Sequence, residues 1–452
     1  MKVISPANET VMQMLKTFRK PGTKYRKLKY LVDTEVEDGI LLFNVFTREL
    51  VLFSKEEFEN ATENEYLRKN WFIVPEECQE KAYVDLVREF LKARQPKLDE
   101  ITGYTIFTTT DCNARCFYCF ELGRSRIPMS PETALKTAKY IKDHCNGKKV
   151  SLSWFGGEPL MNTEAIDIIC NYLKAEGIEY KSRMVTNGYL FTDEIIQKAV
   201  NDWNLKKVQI TLDGTEDIYN KIKAFVYKDV NPYQIVIRNI SALLDTDVQL
   251  AIRLNMDMHN AEDLLQLTQE LSSRFDGKKN LAVYAHHLFK DNIPMAEQHT
   301  GEEWDLRVSA MKRIEKTLSE HGLTSKGGIT NKLKVTHCMA DSGSSITILP
   351  DGNIGLCEHH SEDGFIGHID QGDFDQDVVK AFSETTPQIP ECKNCFYYPS
   401  CIMLKNCSNS CICYPQYRDS KYRSIQAKIC NQHEICKSSK TQTEDIFDEN
   451  SD

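Results

Sequence analysis

No stretch of this 452-residue chain approaches the ~18 consecutive apolar residues that a bilayer-spanning helix needs, which excludes that kind of membrane anchor. Export through a signal peptide is not expected either. The first 30 residues carry Lys2, Lys16, Arg19, Lys20, Lys24, Arg26, Lys27 and Lys29 against Glu9 alone, but no apolar core follows them. No region is basic enough for a general nucleic-acid binder, and the formal charge is -10. The expectation is a cytoplasmic protein with no membrane or nucleic-acid partner. Its length predicts two or three domains.

What the chain does have is 16 cysteines. Without an export signal, clustered thiols more often bind metal or do chemistry than form disulfides. Three of them, Cys112, Cys116 and Cys119, sit in TTTDCNARCFYCFE, directly after an extended segment. Thiolates at this Cx3Cx2C spacing can hold three irons of a four-iron cluster and leave the fourth open to a small chelating molecule, whereas an electron-carrying cluster usually has four cysteine ligands. Zinc also accepts cysteines in CxxC pairs. The surrounding sequence decides between them.

Downstream come GGEP at Gly156, Gly157, Glu158 and Pro159, TNG at Thr186 to Gly188, and TLDG at Thr211 to Gly214. With the cysteine triad, and in this order, these motifs resemble the radical SAM enzymes over residues 101 to 290. The resemblance implies that the open iron chelates S-adenosylmethionine and that one electron cleaves it to a 5'-deoxyadenosyl radical, the protein placing that carbon against one substrate hydrogen. It also implies cofactor contacts. Tyr118 would meet adenine, Gly156 and Gly157 the methionyl amino group, and Glu158 would fix their loop. Asn187 lies in the third motif. Thr211 stands where relatives have a serine near the ribose, and Lys223 where many have an arginine near the carboxylate. Lysine lacks the arginine fork, so Arg253 is a further candidate for that contact; an ordinary ion pair is its alternative.

Extended segments at Tyr104 to Thr109, Val150 to Phe155, Lys181 to Val185, Lys207 to Leu212, Gln249 to Met256 and Leu281 to Leu288 alternate with amphipathic ones. Ser130 reads as an N-cap followed by Pro131 in a first helical turn. The alternation predicts an α/β fold, a partial (β/α)6 barrel over 101–300, with the motifs at the carboxyl ends of its strands. Residues 1–100 predict a winged-helix-like module, with a Glu37-Asp38-Gly39 turn and helical runs at Lys55 to Arg68 and Gln79 to Arg94. In peptide-modifying radical SAM enzymes such a module often adds the precursor's leader as an edge strand; a plain packing subdomain is the alternative. A connecting helix is expected within 301–336, and 437–452 reads as a disordered acidic tail.

Ten cysteines lie between Cys338 and Cys436. Over 337–436 they resemble a SPASM domain, which carries two auxiliary 4Fe-4S clusters. Cys338, Gly352 and Cys357 match its first part, and Cys392, Cys395 and Cys401 its second; the next spacing departs. The resemblance implies Cys338, Cys357 and Cys407 for one cluster and Cys392, Cys395, Cys401 and Cys430 for the other, with Cys411, Cys413 and Cys436 as alternatives. Ser344 occupies a position where some relatives have a fourth cysteine, so an open iron on the first cluster is a further expectation. A zinc module is the competing reading. Cys78, Cys145 and Cys170 are expected to be inert buried thiols.

The resemblance thus implies three 4Fe-4S clusters, S-adenosylmethionine, a low-potential donor such as flavodoxin or ferredoxin, and a ribosomally made precursor peptide receiving a thioether or carbon-carbon crosslink. The alternative is a sulfatase-maturating enzyme making formylglycine, where an aspartate after the Gx4C cysteine accepts a proton. Here Glu358 follows Cys357. A non-catalytic zinc adaptor is the reading from another class. His359 and His360 are expected to be exposed loop residues.

Overall fold

A computed structural model describes residues 1–448 except 19–21, 60, 229, 289–300, 326, 360–363, 406, 408–412 and 414, with backbone alone for 438–448. Cys411 and His360 lie outside the described residues. At the centre stand six parallel strands, Gly103–Thr109, Val150–Gly156, Tyr180–Thr186, Leu205–Leu212, Gln249–Met256 and Leu281–His287, in spatial order of sequence. Each matches an expected strand to within two residues. Their pleat separates the residues: Val150, Leu152 and Trp154 point into the buried helix layer, and Ser151, Ser153 and Phe155 into the barrel. The helix Pro131–His144 begins as expected, with the Ser130 Oγ accepting the Thr133 N–H at 3.1 Å.

The sheet does not end where the barrel was expected to end. Strand Ser345–Ile348 pairs in parallel with the first barrel strand, and Asn353–Gly355 and Phe365–His368 continue antiparallel beyond it, making nine strands among the described residues. The cysteine-rich region therefore grows from the barrel wall. The connecting helix runs over Gly301–Glu320.

The N-terminal module is a four-stranded antiparallel sheet of Lys2–Ser5, Leu50–Phe53, Gly39–Asn44 and Leu31–Val36, with a separate strand pair, Tyr25–Lys27 and Ile73–Pro75. Its longest helix is Glu80–Ala93. The helical run expected over Lys55 to Arg68 is broken into Lys55–Glu59, a 3-10 turn and Glu65–Lys69, because Asn64 restarts it as an N-cap, its Oδ1 accepting the Leu67 N–H at 3.2 Å. The long helix Pro415–Asp448 packs on this sheet through Ile429, which is fully buried among Val32, Leu41 and Phe43. Gln426 Nε2 donates to the Asp33 carbonyl at 2.9 Å, so the backbone of edge strand Leu31–Val36 is engaged at Asp33. The backbone of 437–448 continues this helix.

Candidate active site at the barrel mouth

The cysteine loop follows the first barrel strand, and the other three motifs follow the next three. All therefore meet at the carboxyl ends of parallel strands, where such folds present their functional loops. Gly157 explains the local choice of residue: a Cβ there would sit 2.2 Å from the Asp111 carbonyl oxygen. Gly156 has φ +116°, and its Cβ would lie 2.1 Å from the Thr109 oxygen. Only glycine lets the second strand end this close to the cysteine loop. The contact is fastened by hydrogen bonds from Gly157 N–H to Thr109 O at 3.0 Å and from Glu158 N–H to Asp111 O at 2.9 Å.

Glu158 is fully buried and ties the second motif to the third. Its carboxylate accepts from the Thr186 hydroxyl at 2.7 Å, the Asn187 N–H at 2.8 Å and the Leu160 N–H at 3.2 Å. Burial nevertheless pushes its pKa up to about 7 against the pull of these donors. Asn187 in turn donates to Asn113 Oδ1 at 2.6 Å, and its amide lies 3.8 Å from Cys112 Sγ.

A second network lies beneath the loop. Lys223 and Asp213, 3% and 0% exposed, pair at 3.0 Å. The Lys223 Nζ also donates to Thr211 Oγ1 at 2.7 Å and to the Tyr118 hydroxyl at 2.9 Å, and that hydroxyl donates to Asp213 at 2.9 Å. Asn255 Nδ2 closes the ring at 3.0 Å from Tyr118 and 2.9 Å from Asp213. Burial works against the charge on Lys223, but Asp213 and Tyr118 outweigh it and hold the ammonium protonated. Lys223 is thus spent internally on Asp213, which the sequence reading left without a role although it sits in TLDG. The main chain joins in: Arg115 N–H donates to Lys223 O at 2.8 Å and Val226 N–H to Asn113 O at 2.9 Å. Arg253, on the fifth strand, donates to His286 Nδ1 at 2.9 Å, and its buried Nε has no hydrogen-bond partner among the described residues.

The donor chemistry suits an iron-sulfur cluster. Burial pushes the Cys112 thiol up to about 12, with Glu158 adding to the effect, and burial also raises Cys119. Thiols so placed hold no charge unaided, and bound iron would return them to thiolates. The Ala114 N–H already points at Cys112 Sγ, 3.3 Å away. Among the described residues, no three His, Cys, Asp or Glu side chains are gathered as they would be around a single metal ion.

In the cysteine-rich region, burial raises the thiols of Cys338 and Cys357, the latter up to about 12, and nearby Cys407 and Glu358 add to both. Cys401 has Cys395, Cys413 and Cys392 as its neighbours. Cys430 is elsewhere: it lies on the long helix, bonded to Thr34. Cys436 lies further along that helix, its Sγ 3.6 Å from Ile4 O. Cys413, just before the helix, interacts electrostatically with Cys392, Cys395 and Cys401. His359 is not an exposed loop residue. Its ring lies 4.2 Å from that of Phe120, next to Cys119. Cys145 and Cys170 are buried, as expected, and Cys78 half-buried.

Residues 106–271 match the Radical SAM superfamily. Among curated relatives, the radical SAM cyclopropyl synthase TigE of Paramaledivibacter caminithermalis is 26% identical over 38% of this chain. That stretch spans 42% of TigE's own length. A GTP 3',8-cyclase of Clostridium perfringens is 26% identical over 58% of this chain and 81% of its own. The fold is similar to native anSMEcpe with bound AdoMet and Cp18Cys peptide, with a TM-score of 0.53 at 15% identity over 74% of this chain and 99% of that one. It is likewise similar to Streptococcus suis SuiB bound to precursor peptide SuiA, with a TM-score of 0.50 at 12% identity over 84% and 95%. The triad, its three companion motifs and the parallel barrel agree with these matches: residues 106–271 form a radical SAM domain, followed by a cysteine-rich C-terminal region.

Proposed function

We propose that this protein is a radical SAM peptide maturase of the SPASM type, installing a thioether or carbon-carbon crosslink in a ribosomally made precursor. The observation that carries the reading is the shared sheet: Cys338 and Cys357 flank strands continuous with the barrel wall, while Cys392, Cys395 and Cys401 pack against the N-terminal module. Two solved structures of this fold contain peptides, one of them a precursor, which supports a peptide substrate. When bound, the cluster and S-adenosylmethionine would supply a carbon radical able to abstract hydrogen from an unactivated carbon.

In this reading Cys112, Cys116 and Cys119 hold the cleaving cluster. Gly156 and Gly157 give the methionyl group close access to main chain, and Glu158 and Asn187 lock their loops. Lys223 and Asp213 hold Tyr118 and Thr211 in place from beneath. Cys338, Cys357 and Cys407 hold the first auxiliary cluster, and Cys392, Cys395, Cys401 and Cys413 the second. The electron donor is a flavodoxin or ferredoxin, and the site of action is the cytoplasm. The N-terminal module serves the precursor by a route other than strand addition at Asp33, which Gln426 already uses.

Formylglycine formation is the second reading, favoured by one observation: Glu358 lies beside Cys338 and Cys357, where a proton acceptor would work. Anaerobically purified protein tests both. It should hold about 12 irons if three four-iron clusters fill, and form 5'-deoxyadenosine from S-adenosylmethionine, an activity lost when Cys112, Cys116 and Cys119 become Ala. Zinc with little iron, or cleavage that survives the triple substitution, rejects the proposal.

A further inference from the structure

At the amino-terminal ends of the barrel strands, opposite the cysteine loop, lies a cavity of about 350 Å³. Its lining includes Lys181, Arg183, Lys206 and Lys207 with Ser151 and Ser153, and no Asp or Glu among the described residues. Nearby lysines behave differently, for Lys148, Lys149, Lys174 and Lys198 each pair with a carboxylate. None of the four cavity cations does so among the described residues. Arg183 makes a neutral contact, its Nε donating to Ser153 Oγ at 3.0 Å.

Strand register makes the arrangement costly. Ser153 stands opposite Arg183, and Arg183 opposite Lys207, on one face of adjacent strands. Neighbouring strands are only ~4.8 Å apart, so like charges at registered positions repel. In a chain of net charge -10, the exposed Lys181, Arg183 and Lys207 share the barrel face of this hollow with no carboxylate in its described lining, a charge balance that favours an anion.

The same register gives the site its reach. Ser153, Arg183 and Lys207 each precede by four residues a member of the barrel-mouth site, namely Gly157, Asn187 and Thr211. Four residues of strand span ~13 Å, and about four residues of extended peptide cover the same distance. We propose that this cavity is a specificity pocket for an acidic side chain, Asp or Glu, of the peptide substrate, lying about four residues from the residue whose hydrogen is abstracted. The inference rests on the peptide-maturase reading and adds the charge and spacing of its substrate.

The test uses full-length, anaerobically reconstituted protein and calorimetry with acetylated tetraglutamate amide, with tripolyphosphate and tetralysine as comparison probes. Tetraglutamate should bind saturably and tetralysine should not. Binding should weaken with salt, fall by about tenfold or more in R183Q/K207Q, and persist in R183K/K207R. Tripolyphosphate binding without tetraglutamate binding, or tetraglutamate binding unchanged in R183Q/K207Q, overturns the inference. Formation of 5'-deoxyadenosine by the wild type separates the two levels. If it persists while tetraglutamate fails to bind, the pocket is wrong and the radical SAM reading stands. If the wild type forms none, both fall.

Discussion

Lys223 and Asp213 form an ion pair at 3.0 Å that is almost wholly out of contact with water. Such a pair contributes little relative to apolar residues of equal volume, but losing one partner strands the other charge in the interior. Lys223→Met should therefore destabilise the protein by about 3–5 kcal/mol in denaturant titrations. The double variant K223M/D213L should recover much of that loss. A single variant as stable as wild type would mean that the pair is solvated.

Glu158 links stability to pH. Its folded pKa, about 7, lies above the ordinary 4.5. The folded state therefore holds the proton more tightly, and this contribution is fully present below about pH 4.5 and lost as pH rises through about 7. Wild type should lose on the order of 3 kcal/mol relative to Glu158→Gln between pH 4.5 and pH 8. Parallel pH profiles for the two proteins would refute the raised value.

Cys413 and Cys430 make opposite predictions. With Cys392, Cys395 and Cys401 as companions, Cys413→Ser should cost the protein roughly four irons per chain. Cys430→Ser, beside Thr34, should leave iron content and Mössbauer spectra unchanged. The reverse outcome would return the ligand role to the helix.

Gly157→Ala places a methyl 2.2 Å from the Asp111 carbonyl. The cysteine loop must move, so affinity for S-adenosylmethionine should fall by about tenfold or more with the rest of the fold unchanged. Titration calorimetry alongside circular dichroism reads both quantities.

Much of this organisation was legible in the chain itself. Alternation of Val150, Leu152 and Trp154 with Ser151 and Ser153 announced a strand, and Ser130-Pro131 a helix start, because both are local signals. The cysteine triad and its three companion motifs were equally readable. What the chain does not carry locally is which distant residues meet. Nothing near Lys223 says that its ammonium is buried on Asp213. The orientation of the helix Pro415–Asp448, which takes Cys430 to Thr34, depends on Ile429 finding the N-terminal sheet. The clustering of Arg183 with Lys207 exists only once two strands align, and His359 reaches Phe120 only because its strands join the barrel.

Because Ser345–Ile348 flanks Gly103–Thr109, the strand that carries the cysteine loop keeps one bare edge until the ribosome has made most of the polypeptide. During synthesis that edge can recruit other chains. Truncation before Ser345 would make the exposure permanent and leave an aggregation-prone fragment where a separable catalytic half might have been sought.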